Sequence, residues 1–150
     1  MLGFNYRLTD LHAALGVSQL ERLEPFLERR NILARRYDAA LASMPVRLPT
    51  VRQGNRPAFH LYVVRVRRDV ATKTRDQVFD ELRQLGVGVN VHYLPIHLQP
   101  YYREQGFARG SCPEAEAHGE DALTLPLYPA MTDAQQERVV SAMAQVFRGG

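Results

Sequence analysis

The chain has 150 residues and a net charge of +3, with 45% hydrophobic and 23% charged residues. That composition suits one globular domain and argues against wholesale disorder. No apolar run reaches the ~18 residues a membrane helix needs, and residues 1–5 lack the basic start and apolar core of a secretory signal. The single cysteine, Cys112, excludes an internal disulfide framework and any Cys-cluster metal site, so a reducing cytoplasm is the expected setting.

Residues 3–7 form a short non-periodic opening. Thr9 reads as a helix N-cap, with Asp10 in the first turn where an acid suits the dipole. Leu11, Ala14, Leu15, Ser18 and Leu20 then predict a short amphipathic helix that stops near 20–24. Pro25 suits the first turn of a second helix, expected over 25–43 with Phe26, Leu33, Tyr37 and Leu41 on one face. Met44-Pro45 ends it. Residues 46–57 are polar and read as loop or weak edge strand. Residues 59–66, rich in β-branched and aromatic side chains, form the best strand in the chain. Thr74-Arg75-Asp76-Gln77 is a capping-box pattern. It opens a helix with Val78, Phe79, Leu82 and Leu85 on one face, closed by Gly86. Residues 87–93 alternate well enough for a second strand. Residues 94–110 read as a loop with a short helix, 113–122 as a short helix and 123–129 as extended chain. Thr132-Asp133-Ala134-Gln135 is a second capping box, before a last helix with Val139, Val140, Met143, Val146 and Phe147 apolar. Long helices beside a small mixed sheet argue an α+β fold. No repeat or linker divides residues 1–150.

The motifs of common chemistries are missing. There is no phosphate loop and no G-x-G-x-x-G turn after a strand. Gly86-Val87-Gly88 follows a helix and reads as its C-cap and a tight turn. No serine sits in a G-x-S-x-G setting. The arginines share their helices with Glu21, Glu24 and Glu28, the pattern of a solvated face and no signature of a nucleic-acid partner. His92 and His97 bracket a Tyr-Leu-Pro-Ile stretch, but no cysteine and no acid close in sequence completes a metal shell, so no metal is expected. Such histidines more often line a polar pocket or satisfy a hydrogen bond. His60, inside the predicted strand, reads as structural. Two segments remain, 3–10 and 88–102. Each gathers Asn, Arg, His or Tyr at an element boundary, where binding residues tend to sit. An Asn amide and an Arg fork suit phosphate oxygens, and tyrosines and histidines suit a sugar or a stacked base. Composition alone therefore predicts a surface that binds a phosphate and a ring.

The same segments carry a family likeness. Gly3-Phe4-Asn5-Tyr6-Arg7-Leu8-Thr9-Asp10, followed by Ala13-Ala14-Leu15-Gly16 and Gln19-Leu20, resembles a characteristic stretch of the DegT/DnrJ-type sugar aminotransferases. Arg29-Arg30 and Arg36-Tyr37 resemble that family's next helix, and His60-Leu61-Tyr62-Val63-Val64 its small-domain strand. Gly88-Val89-Asn90-Val91-His92-Tyr93, with Pro95, His97 and Pro100-Tyr101-Tyr102, resembles a further family segment. Leu125-Pro126-Leu127-Tyr128-Pro129 and Thr132 resemble its closing pattern. The Val-Asn-Val-His-Tyr and Leu-Gln-Pro-Tyr-Tyr pieces look most like the branch that aminates a UDP-linked 4-keto-6-deoxy-N-acetylhexosamine on the way to pseudaminic acid.

The resemblance implies the small C-terminal domain of a fold-type-I pyridoxal phosphate (PLP) enzyme, without the large domain that bears the PLP lysine. It implies a ping-pong transamination from glutamate to a nucleotide-sugar ketone, in a cytoplasmic homodimer with no nucleic-acid or membrane partner. Asn5 is implied to reach the cofactor phosphate of the partner subunit, and Arg7 the nucleotide-sugar phosphates. His92, Tyr93 and His97 are implied to line the substrate pocket, with Tyr101 and Tyr102 beside them. No catalytic residue is implied, because the family's proton-shuttling lysine has no match. Lys73, the one lysine in the chain, stands in a polar connection and reads as a surface residue. The competing expectation is a free-standing binding or oligomerisation module.

Overall fold

The computed structural model describes Gly3, Phe4 and residues 6–148. In chain order the elements are α1 (Asp10–Leu20), α2 (Leu23–Leu41), β1 (Val46–Arg47), β2 (Tyr62–Val66), α3 (Arg75–Gln84), α4 (Pro100–Glu104), α5 (Pro113–Asp121), β3 (Ala122–Leu125) and α6 (Asp133–Arg148). A single 3-10 turn, Ile96–Leu98, precedes α4. This is an α+β arrangement of long helices on a small sheet. No helix among the described residues is long and apolar enough to cross a membrane.

The sheet, expected to be mixed, is antiparallel throughout, in the order β1-β2-β3, because each described strand pairs with a neighbour running the other way. Val46 pairs with Val66, Tyr62 with Leu125 and Val64 with Leu123. Alternation along β2 sends Tyr62, Val64 and Val66 into the core, since successive strand residues face opposite ways. Leu33, Ala34, Tyr37 and Leu41 of α2 meet them there, with Val78 and Leu82 of α3 and Val139, Met143 and Val146 of α6. The rings of Tyr37 and Tyr62 lie 4.9 Å apart. Each buried hydroxyl has a partner: Tyr37 donates to the Pro126 carbonyl at 2.8 Å and Tyr62 to Asp38 at 2.6 Å. On the other side of the sheet Arg65 reaches Asp121, at the end of α5, at 3.1 Å.

Both capping boxes form. Thr74 Oγ1 accepts from the Gln77 amide while Gln77 Oε1 accepts from the Thr74 amide. Thr132 and Gln135 repeat the exchange ahead of α6. Gly86 then leaves α3 at φ +75, a conformation that L side chains resist.

Four further expectations shift. Helix α2 begins at Leu23, two residues before Pro25, because amide protons in a first turn have no helical acceptor to lose. β2 begins at Tyr62, not residue 59. Phe59 turns the chain at φ 43, a left-handed conformation costly for a bulky residue. Arg30 Nη1 braces it, donating to the Phe59 carbonyl at 2.8 Å and the Leu127 carbonyl at 3.3 Å. His60 is thus exposed and lies outside the sheet. The strand expected over 87–93 reduces to one bridge, Asn90 to Thr124. Asn90 Oδ1 accepts from the Val91 amide at 2.8 Å, a local bond that competes with a ladder. Finally, α1 is not amphipathic. At 3.6 residues per turn, Leu11 and Leu15 share one side while Ala13, Val17 and Leu20 occupy the other, and no residue of α1 is buried.

Candidate substrate-binding segment

The loop between α3 and α5 holds five of the residues singled out above. It runs past the edge of β3, which fixes its first part. His92 Nδ1 lies 2.8 Å from Thr124 Oγ1, so a strand side chain orients this imidazole. The ring of Tyr93 stands edge-on to it at 4.6 Å, and the peptide between them is cis. Tyr93 itself is exposed. The chain then crosses α5 at Gly119. A Cβ there would stand 2.8 Å from Pro95 Cδ, so the loop packs against bare helix backbone.

The 3-10 turn aims His97 inward. It is only 8% exposed, and its Nε2 lies 2.8 Å from Glu116 Oε1. An ionised carboxylate only accepts, so Nε2 carries the proton. The same carboxylate accepts from the Gly110 amide at 2.8 and 3.0 Å and from the Cys112 amide at 3.3 Å. These bonds, the one from His97 foremost, hold the Glu116 carboxyl below the ordinary carboxylate range. Beyond the turn, Tyr101 and Tyr102 project from α4 as exposed rings 5.2 Å apart and edge-on, with Phe107 next to Tyr102. An open groove of about 900 Å³ runs alongside, lined by Leu94, Leu98, Pro100, Arg103, Phe107 and Arg109.

The fold therefore gathers His92, Tyr93, His97, Tyr101 and Tyr102 on one loop. Arg7 belongs to a different segment, exposed ahead of α1. Asn5 lies outside the described residues. Sequence reasoning missed Glu116: the acid that meets His97 is 19 positions away, and neighbours in sequence gave no hint of it. The available signal was an acid one turn inside a helix that begins with proline, placed to reach back to the amides before Pro113. Among the described residues no group of three or more His, Cys, Asp or Glu could hold a metal ion.

Lys73 is also placed differently from the expectation. Its side chain is only 15% exposed; Nζ pairs with Glu81 and donates to the Val146 carbonyl, both at 2.8 Å or less. That amine closes α3 onto the end of α6, away from the loop. The described residues thus offer no amine to form a Schiff base and do not themselves make a PLP site.

Comparison with known proteins agrees with these features. The model of the DegT/DnrJ/EryC1/StrS aminotransferase family matches residues 1–144. The chain is 36% identical over 150 residues to the spore coat polysaccharide biosynthesis protein SpsC of Bacillus subtilis, a match covering 98% of this chain and 39% of SpsC. The PLP form of Spr1654 from Streptococcus pneumoniae superposes with a TM-score of 0.86 at 30% identity, over 95% of this chain and 36% of that one. Helicobacter pylori PseC, an aminotransferase involved in the biosynthesis of pseudoaminic acid, superposes with a TM-score of 0.84 over the whole of this chain and 40% of its own. Its 22% identity speaks for the fold alone. The chain spans about two fifths of the length of these relatives. With a family match along nearly its whole length, the chain belongs to the DegT/DnrJ/EryC1/StrS family of PLP-dependent sugar aminotransferases.

Proposed function

We propose that this chain is the small C-terminal domain of a homodimeric sugar aminotransferase, and that it serves the nucleotide-sugar side of the reaction. The supporting observation is the loop fixed from behind. Thr124 and Glu116 hold its two histidines, while Tyr93, Tyr101 and Tyr102 stay exposed to meet a ligand. Such prepaid ordering is what orientation of a substrate requires.

In this reading His92 and Tyr93 line the sugar pocket, His97 backs it from its buried seat on Glu116, and Tyr101 and Tyr102 offer ring faces beside it. Arg7 forks onto the nucleotide diphosphate, a charge-assisted bidentate contact. Asn5 supplies an amide to the cofactor phosphate of the partner subunit. The electron-sink chemistry is that of PLP, and this chain binds and orients. Glutamate is the amino donor. The acceptor is a UDP-linked 4-keto-6-deoxy-N-acetylhexosamine, a choice that rests on the Val-Asn-Val-His-Tyr and Leu-Gln-Pro-Tyr-Tyr pieces. The span of about two fifths of each relative supports a domain that works with a larger one.

The test is Arg7→Ala in the native full-length polypeptide. The nucleotide-sugar half-reaction should slow on the order of 10- to 100-fold while the glutamate half-reaction holds, because only one step uses that charge. Equal losses in stopped-flow traces of both would sink the role. Exposed α1 favours a second reading, a free-standing oligomerisation module: Leu11 is 81%, Leu15 63% and Leu20 67% exposed. Blotting a host lysate separates the two. A band two to three times the 17.1 kDa of this chain supports the enzyme, and a band at 17.1 kDa alone supports the module.

A further inference from the structure

The last backbone bonds to the sheet are made by Asn90 with Thr124, and the loop from His92 to Cys112 makes none itself among the described residues, yet its histidines are held in fixed places. Thr124 of β3 holds His92, and two features of α5 hold the rest. Glu116 and Gly119 are three residues apart, so they share one face of the helix. Glu116 collects His97 from the front of the loop and the Gly110 and Cys112 amides from its end, at one carboxylate. Gly119 lets the Pro95 ring press onto the helix at a distance no side chain would allow. One helical face thus sets both the depth and the closure of the loop.

We propose that Glu116 is a positioning residue for nucleotide-sugar recognition, acting through His97, with Gly119 as the seat on which the same loop rests. The inference builds on the reading of residues 88–102 as the substrate segment. Removing the carboxylate leaves the buried His97 N–H without its acceptor and frees the Gly110 and Cys112 amides to turn to solvent, a loss that the loop relieves by moving. A side chain at 119 pushes the Pro95 ring outward. Displacements near 1 Å at a binding segment cost up to about 100-fold in rate.

The experiment uses the full-length polypeptide with Glu116→Ala, Glu116→Gln, Gly119→Ala and His92→Ala. Each half-reaction is timed separately, and calorimetric titrations with UDP and with dTDP give a binding readout free of turnover. Glu116→Ala and Gly119→Ala should each lower kcat/KM for the nucleotide sugar at least tenfold, with glutamate turnover within about twofold. Glu116→Gln keeps an acceptor oxygen and should recover part of the loss. If Glu116→Ala fails to fold, Glu116→Gln and Gly119→Ala carry the same comparison. Equal losses in both half-reactions, or unchanged sugar turnover and nucleotide binding, would overturn the assignment. His92→Ala separates the two levels. If it leaves the sugar step intact, the substrate segment itself is misplaced; if it impairs that step while the Glu116 and Gly119 variants do not, only the positioning role falls.

Discussion

Helices α1 and α6 are both rich in apolar residues, and they end up in opposite environments. Helix α6 keeps Val139, Ala142, Met143 and Val146 on one face and buries all four. Helix α1 distributes leucine, valine and alanine around its circumference and buries none. A one-sided stripe needs one partner surface, and the sheet with α2 and α3 supplies it. A helix apolar on every side is stable only where it is enclosed. The two helices thus record two scales of folding: α6 is satisfied by its own chain, while α1 needs surroundings that the described residues lack.

Truncations break this contrast most sharply. Met143→Ala should cost about 2–5 kcal/mol, the range for a large buried side chain. Leu15→Ala, in the open on α1, should stay within about 0.5 kcal/mol. Urea titration of the 150-residue chain measures both, and comparable costs would mean that α1 is packed. The caps sharpen the comparison on a smaller scale. Thr74→Ala removes half of a reciprocal box on a helix welded to the core and should cost about 1 kcal/mol. Thr9 also caps its helix, accepting from the His12 amide at 3.3 Å. The helix it starts carries no share of the core, so Thr9→Ala should leave the urea midpoint in place and lower helicity only.

Acid gives the smallest effect. The Glu116 carboxyl lies below its ordinary range because His97 and two amides hydrogen-bond the ionised form. A depressed folded value means that its contribution is complete above the unfolded pKa of ~4.3 and fades as pH falls through the folded one. Hydrogen exchange across 108–112 should therefore rise below about pH 4, ahead of exchange across 139–146. Simultaneous rises in the two segments would show that the carboxylate is no separate latch.

What was legible in the sequence follows the range of the interactions. Thr74 with Gln77 and Thr132 with Gln135 are three residues apart, and both boxes form as read. The apolar face of α6 repeats every turn and is buried as read. The strand over 87–93 failed because Asn90 bonds its own neighbour, and the strand at 59 failed because Arg30, 29 residues earlier, pins a turned Phe59. The site divides along the same line. The candidate loop showed in its composition, while the carboxylate behind it is visible only once α5 has been folded against it. Lys73 was misread for the same reason: Glu81 and the Val146 carbonyl come to it through the packing of α3 on α6.

Lys73 has a practical consequence as well. It is the only side-chain amine in the chain, and it is occupied for as long as the last helix stays docked. Acylating reagents, crosslinkers and enzymes that modify lysine all meet a hydrogen-bonded group only 15% exposed, and each should find it more readily once that helix lifts. The fold has made its one side-chain amine a built-in reporter of its own opening.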